Sequence, residues 1–530
     1  MGIRLTSFAL MASILAMGVG SGAHAAAETP PSDQGDGRLP NIVLFLVDDL
    51  GWRDTSAWGS SFHDTPHINR LAKEGVRFNQ AYAASHVCSP TRASILTGKY
   101  PARLRLTDWL PGRRDFGFQS LQNAEIRHHL PYDEVTLAET LKAQGYRTAI
   151  FGKWHLGEDP SGPTAHGFDL AVPTAWRKGW PRAGYHAPFE MEGLDGAEGD
   201  YLTDRLTAEA LAFIERNRSR PFFLYLPHFA VHDPIEGRPD LVEKYRARLA
   251  SSPRPEGPAF VLEGNPDDAE TLSREQLTDL VARPSFQGHR VLPRRTVRIK
   301  QHQDNVQFAA MVEAMDESLG RVLGKLAALG LDNETIVVFF SDNGGMSAAN
   351  FWDPERVIDD TELDTAYSTS NLPLRGGKGW LYEGGVRVPM IVKWPGHGRE
   401  GAACEEPVIS TDFYPSLLEM AGLPLLPDQH LDGVSFVPAL RGQSFERGAI
   451  YWHFPHYSNH GMQSPGGAIR LGELKLLDYF ENGTVQLFDL EADPGEQNDL
   501  VREQPMKARE LLAMLRAWRE EVSAGMMPVK

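Results

Sequence analysis

The sequence predicts an α/β protein in which helices sandwich a mostly parallel central sheet, with a smaller C-terminal α+β part built on an antiparallel sheet. Three observations predict it. Short apolar runs alternate with helical patterns along most of the chain, the arrangement that lays helices on a parallel sheet. Four of those runs end on clusters of polar residues. From about residue 448 the pattern changes to two apolar runs around an Asn-Gly turn, followed by one helical stretch.

The strands come first. Residues 42–47, 148–151, 222–226, 336–340 and 390–392 are short and rich in Val, Ile, Leu and Phe. Length and composition favour buried parallel strand over buried helix, which periodicity alone cannot separate. Helical spacing recurs between them at 137–144, 202–216 and 305–329. Residues 471–477 and 484–490 flank Glu481-Asn482-Gly483, and Asn-Gly between apolar runs signals a tight hairpin. A helix over 505–522 closes the chain. The expected division is 41–447 for the main domain and 448–530 for the smaller one. Residues 238–300 break the alternation: they are polar, charged and Pro-containing. They read as an insertion near the site, whose Arg290, Arg294, Arg295 and Arg298 either contact an anionic substrate or form a solvated basic face. Residues 107–131 show no assignable pattern.

Composition narrows the partners. The 530 residues carry a formal charge of −17, which argues against nucleic acid, because phosphate binding wants a basic surface. Residues 1–25 read as a Sec-type signal peptide: Arg4, then an uncharged stretch, then Ala23-His24-Ala25 as a cleavage site. Residues 26–40 read as a polar linker. The expected location is the periplasm or outside the cell. No later segment has the roughly 20 apolar residues that a membrane span needs. The two cysteines, Cys88 and Cys404, would ordinarily form one disulfide in an oxidising compartment. The residues around Cys88 argue otherwise, which leaves Cys404 a buried free thiol.

The chemistry sits where the strands end. The run ending at Val47 leads to Asp48-Asp49, that ending at Phe151 to Gly152-Lys153-Trp154-His155, that ending at Leu226 to His228 and His232, and that ending at Phe340 to Ser341-Asp342-Asn343. Ligands of open α/β sheets bind beyond the carboxyl ends of the strands, so four distant segments converge on one rim. Asp48, Asp49, Asp342 and Asn343 form an all-oxygen set, which suits a hard cation such as Ca²⁺ or Mg²⁺ and otherwise repels itself. A helix cap at Asp48-Asp49 and a plain turn at 341–345 explain each piece alone but not why both sit at strand ends. Lys153, His155 and Lys378 supply cations beside a metal, as a phosphoryl or sulfuryl group requires.

Several motifs are similar to those of one family. Cys88-Ser89-Pro90-Thr91-Arg92-Ala93-Ser94-Ile95-Leu96-Thr97-Gly98 resembles the signature of the type I, cysteine-type sulfatases of the alkaline-phosphatase-like superfamily. A second signature is matched by residues 145–157, from Gly145 to Gly157. Further matches are Asp48-Asp49-Leu50-Gly51, Ser341-Asp342-Asn343-Gly344, Gly377-Lys378-Gly379, Tyr382-Glu383-Gly384-Gly385-Val386-Arg387, Leu487-Phe488-Asp489-Leu490 and Asp493-Pro494-Gly495-Glu496. The resemblance implies that a maturation enzyme oxidises Cys88 to formylglycine. It implies a Ca²⁺ held by Asp48, Asp49, Asp342, Asn343 and modified Cys88. Arg92 and His155 would hold the formylglycine, while Lys153, Lys378 and His232 would contact sulfate. His228 is then a structural neighbour. The hydrated aldehyde would attack sulfur, with Asp342 taking a proton and His232 or Lys378 protonating the leaving alcohol. By analogy the substrate is a sulfated sugar, such as a galactose or N-acetylgalactosamine sulfate. Two rival readings stand beside it: a phosphonate or phosphate ester hydrolase of the same superfamily, and a secreted glycan-binding pseudoenzyme. Tyr451-Trp452-His453-Phe454-Pro455-His456-Tyr457 gathers rings that suit a sugar. Trp452 and Phe454 read as strand core alternating with an exposed His453, while His453 and His456 are candidate sugar contacts.

Overall fold

Strand β1 (Asn41–Val47) is buried along its whole length, as an unbroken apolar run requires of a strand covered on both faces. Its alternate side chains enter two cores. Ile42, Leu44 and Leu46 pack with Ile95, Leu96 and Leu417. Val43, Phe45 and Val47 pack with Phe213, Met315 and Leu319. The structure is a computed structural model; it describes residues 38–530 apart from 116, 118, 159, 175–178, 254, 269–271, 283–294 and 351–365. The expected signal peptide, most of the expected linker, and Arg290 and Arg294 lie outside the described residues.

The remaining strands follow in chain order: β2 (Val76–Tyr82), β3 (Arg147–Phe151), β4 (Leu170–Val172) and β5 (Phe222–Pro227), then β6 (Phe260–Glu263) and β7 (Val297–Lys300). Next come β8 (Thr335–Ser341), β9 (Arg387–Lys393), β10 (Ala403–Cys404) and β11 (Val408–Ile409), and last β12 (Ile450–Phe454), β13 (Gly466–Leu471), β14 (Leu474–Tyr479) and β15 (Val485–Asp489). The large sheet runs β10-β2-β9-β8-β1-β5-β3-β4, with β11 beside β2. It is mostly parallel. The expected strand at 390–392 proves longer and runs antiparallel to both its neighbours, β8 and β2. The chain enters β9 directly from the short helix Glu383–Val386. Sequence pattern missed β2, whose buried and half-buried positions do not form a run.

One face carries the helices Pro66–Glu74, Leu202–Asn217, Pro239–Ser251 and Val306–Ala328; the other carries Cys88–Thr97, Leu137–Ala143 and Phe413–Met420. Leu241, Val242 and Tyr245 belong to the first of these cores. The stretch that begins at Arg238 therefore starts as part of the sandwich, and its charged positions are the outer face of a helix. Beyond it, β6 and β7 pair as a small antiparallel ribbon.

The antiparallel sheet β12-β13-β14-β15 is covered by the helix Pro505–Glu521. Leu511, Leu515 and Trp518 pack on Ile469, Leu476 and Leu477 in a core that also takes in Tyr82, Trp380, Tyr382 and Val386. The hairpin pairs Leu474 with Asp489 and Asp478 with Val485. Trp452 and Phe454 are core residues of β12, but His453 between them is buried as well, at 6% exposure. Cys88 and Cys404 are both free and buried. Among the described residues no helix is long and apolar enough to cross a membrane.

Candidate active site

Strand register assembles the rim. Val47 pairs with Ser341 across β1 and β8, so Asp48-Asp49 and Asp342-Asn343 leave the sheet side by side. On the other flank of β1 lies β5, followed by β3, whose ends lead to His232 and Lys153. Gly152 makes the turn to Lys153 with φ +127°; a Cβ there would lie 2.0 Å from the Pro227 carbonyl oxygen. Only glycine fits such a close approach. Lys153 then anchors to the same Pro227 carbonyl by its N–H at 2.7 Å.

Cys88 is the first residue of the helix Cys88–Thr97, every residue of which is buried. Arg92, four positions on, lies on the same helix face. Its Nε donates to Asp342 Oδ2 at 2.9 Å and its Nη1 to the Lys153 carbonyl at 2.8 Å. Its Nη2 is 2.7 Å from Asp342 Oδ2 and 3.8 Å from Asp48 Oδ2. Lys153 Nζ lies 2.6 Å from Asp48 Oδ2, and Lys378 Nζ 2.7 Å from Asp49 Oδ2. Asn343 Nδ2 donates to Asp49 Oδ1 at 2.7 Å. Cys88 Sγ is 3.2 Å from His155 Nδ1, and His155 Nε2 is 2.7 Å from the Leu110 carbonyl oxygen. A carbonyl only accepts, so Nε2 carries the proton and Nδ1 turns its lone pair toward position 88. His232 Nδ1 faces Asp233 Oδ1 at 2.9 Å, while Nε2 lies 3.8 Å from Asp49 Oδ2.

The electrostatics follow from burial and these contacts. Burial alone pushes the Asp49 carboxyl up, but Lys378 and His232 outweigh it and hold it at about 2. Burial, then Asp48, push Asp342 up to about 6. Burial pushes the Cys88 thiol up to about 11, the reverse of what a thiolate nucleophile needs. Burial and Lys378 lower His232, yet Asp49 and Asp233 leave it raised overall.

The donor set suits a hard cation. Asp48 Oδ1 and Asn343 Oδ1 are buried without a hydrogen-bond partner, which native interiors rarely tolerate. Ligand atoms of Asp48, Cys88 and Asp342 all lie within 4.8 Å of one another, as do those of Asp48, Asp49 and His232. A cation bound by carboxylate and amide oxygens satisfies both orphaned acceptors.

The structure thus brings together Asp48, Asp49, Cys88, Arg92, Lys153, His155, His232, Asp342, Asn343 and Lys378. His228 stands apart, its Nε2 2.9 Å from Ser318 Oγ and its ring against Phe45. The two candidate sugar contacts are also elsewhere. His453 Nε2 lies 2.8 Å from the Gly525 carbonyl oxygen, with the ring against Phe480. Its strand faces it into the C-terminal part and away from the rim. His456 Nε2 lies 2.9 Å from Thr107 Oγ1 and lines a cleft of about 410 Å³ with Asp108, Arg113 and His128. Arg295 pairs with Glu481, and Arg298 is exposed on β7. Sequence reasoning missed the segment after Thr107. Its Leu110 carbonyl holds His155, and Trp109 packs beside Cys88 with Trp180 against it. A backbone carbonyl has no residue signature, so no pattern could have exposed it. Asp233, adjacent to His232, was open to the same argument that found Asp48 and Asp49.

Comparison with known proteins agrees with this geometry. The sulfatase family profile matches residues 40–423, and the profile described as N-sulphoglucosamine sulphohydrolase, C-terminal, matches 377–522. A sulfatase of Formosa agariphila is 30% identical, over 90% of this chain and 88% of that protein. The N-acetylgalactosamine-6-sulfatase of Mus musculus is 31% identical, over 78% of this chain and 68% of that protein. The crystal structure of Ps i-CgsB in complex with k-i-k-neocarrahexaose superposes with a TM-score of 0.67 at 26% identity, covering 91% of this chain and 93% of that one. A phosphonate monoester hydrolase of Agrobacterium radiobacter, with a TM-score of 0.60 at 20% identity over 91% of this chain and 96% of that one, shares the fold. The chain belongs to the sulfatase family, within the alkaline-phosphatase-like superfamily, and is a sulfuric ester hydrolase.

Proposed function

We propose that the chain removes sulfate from a sulfated saccharide, using formylglycine made from Cys88 and a Ca²⁺ held by Asp48, Asp49, Asp342, Asn343 and residue 88. The observation that carries this reading is the pair of orphaned buried oxygens, Asp48 Oδ1 and Asn343 Oδ1, beside Cys88. Calcium and the hydrated aldehyde together supply a nucleophile at neutral pH and a counter-charge for the sulfuryl group.

The chain's own residues do the rest. Arg92 is locked by Asp342 and the Lys153 carbonyl, so its charge stays beside position 88 through the reaction. His155 Nδ1 receives the proton of an oxygen at position 88, since its other nitrogen is committed to Leu110. Lys153 and Lys378 flank the carboxylates and meet the sulfate oxygens. His232, held by Asp233, stands next to Lys378 to give the leaving alcohol its proton. Saccharide substrates are supported by the relatives, which include an N-acetylgalactosamine-6-sulfatase and a structure complexed with a neocarrahexaose. Residues 1–25 act as the export signal, and a periplasmic or secreted protein would meet such substrates. His456 stays a candidate contact for a more distant part of the glycan.

Intact-peptide mass spectrometry on protein made with a formylglycine-generating enzyme tests the nucleophile: the peptide with Cys88 loses its sulfur and gains one oxygen. An unmodified thiol in active protein overturns it. Comparing kcat/KM on aryl sulfate and aryl phosphonate esters tests the reaction class, and a preference for the phosphonate goes to the rival hydrolase.

A further inference from the structure

The loop 455–465 joins β12 to β13, yet it leaves the C-terminal sheet to reach the rim. Asn459 Oδ1 accepts from the Trp109 indole N–H at 3.1 Å. One residue on, His460 packs against Gly379, the neighbour of Lys378, so closely that a Cβ at Gly379 would lie 2.4 Å from His460 Cβ. His460 is 4% exposed, and neither Nδ1 nor Nε2 has a hydrogen-bond partner. Lys378, Asp49, Asp233 and His232 are the charged groups around the ring.

Other buried histidines make the contrast. His228 and His453 each pair one ring nitrogen. His86 also leaves both nitrogens unpaired, but it packs edge-on against Phe454 at 4.2 Å, and among the described residues no charged side chain acts on it. His460 alone among these four places two unused polar atoms beside the sulfate-binding cations. An interior imidazole without partners costs stability, and a bound ligand that hydrogen-bonds it removes that cost. Burial, and then the Lys378 ammonium, favour the neutral ring, and a neutral imidazole offers one donor and one acceptor. That combination matches an alcohol hydroxyl. Sulfate oxygens only accept, and Lys153, Lys378 and His232 already supply donors for them.

The geometry points to His460 as a specificity residue: its imidazole hydrogen-bonds the saccharide hydroxyl nearest the ester oxygen that Lys378 and His232 flank, which in a 6-sulfate is the 4-hydroxyl. The assignment rests on the saccharide sulfatase reading above and adds the residue that selects the alcohol.

Kinetics of matured wild type, His460→Ala and His460→Asn on a hexose or N-acetylhexosamine 6-sulfate and on 4-nitrophenyl sulfate test it. The aryl ester has no hydroxyl beside the sulfate. His460→Ala is expected to lose about 10- to 100-fold in kcat/KM on the sugar sulfate, mostly in KM, and less than about 3-fold on the aryl sulfate. His460→Asn, which keeps a donor and an acceptor, recovers part of the loss. On a deoxy sugar sulfate lacking the recognised hydroxyl, wild type and His460→Ala are expected to converge. Equal losses on sugar and aryl esters, or no loss on either, overturn the assignment while leaving the sulfatase reading intact. Wild type that cleaves the aryl ester and no sugar sulfate overturns the saccharide reading and His460's role with it. Wild type inactive on every sulfate overturns the reaction class.

Discussion

Among the described residues, the buried charges at the rim and those at the joint between the sheets differ in whether they close on themselves. At the joint between the sheets, Lys475 Nζ lies 2.9 Å from Glu383 Oε1 and 3.0 Å from Glu496 Oε1. Glu383 Oε2 accepts from the Tyr82 hydroxyl at 2.8 Å, and Glu496 Oε2 accepts from the Glu383 N–H at 2.6 Å. Arg470 donates to Tyr82 and to Gln80. Charges and donors here are spent on one another across the joint. At the rim, Lys153, Lys378 and Arg92 neutralise three carboxylates, yet Asp48 Oδ1 and Asn343 Oδ1 remain without a donor. Both clusters come from sequence motifs that resemble the family's. A motif that closes on itself reads as architecture; one that leaves acceptors converging reads as a site.

The comparison breaks most sharply on activity. Asp49→Ala is expected to cost at least about 10³-fold in kcat, the scale of losing an essential catalytic group. If the proposed calcium site holds, Ca²⁺ is expected to raise the unfolding temperature of the wild type, and the folded variant to lose that rise. A variant that keeps both full turnover and the calcium shift removes Asp49 from the site.

The joint is expected to answer in stability instead. Lys475→Ala leaves Glu383 and Glu496 facing each other without a cation, and breaking a buried pair this way costs about 3–5 kcal/mol. Denaturant unfolding should show that loss, while kcat per folded molecule and the calcium shift stay near wild type. A loss of kcat with unchanged stability would reverse the two roles.

A surface cluster sets the lower end of the scale. Burial alone raises the Asp64 carboxyl, but Arg248 and Lys244 outweigh it and lower its pKa below the ordinary value. The folded pKa is therefore below the unfolded one, near 3.9. The stabilisation is complete above that unfolded value and is lost as pH falls through the folded one. Asp64 is 36% exposed, so solvent screening keeps the effect under about 1 kcal/mol. Asp64→Asn should lower the urea midpoint slightly at pH 7 and not at all once the native carboxyl is protonated. An equal loss at both pH values would mean that the hydrogen-bond geometry matters and the charge does not.

Much of the site was legible because its residues follow short apolar runs. Asp48-Asp49, Lys153-Trp154-His155 and Asp342-Asn343 are local patterns, and a strand end is itself a local event. The contacts around His155 were not legible, since Leu110 acts through its carbonyl and lies in a stretch without periodicity. His460 was equally hidden. Its role depends on a loop that returns from the second sheet, and a histidine two residues before Met462 has no signature of its own. His453 misled for the opposite reason. Ring-rich sequence suggested a sugar surface, but strand pairing turned it toward Gly525.

The sequence by itself determined the sandwich and placed the candidate carboxylates at the strand ends, because period, strand length and strand-end chemistry are properties of neighbours along the chain; the Cys88 segment it marked through a contiguous motif resembling the family's. Only the tertiary structure decided that β9 runs against the sheet, that the charged stretch after Arg238 begins as a packed helix, and which charge clusters close. Strand direction and the partner of a buried charge depend on segments hundreds of positions apart, as Lys378 and Asp49 show at |i−j| = 329. No local pattern encodes the register that brings them together.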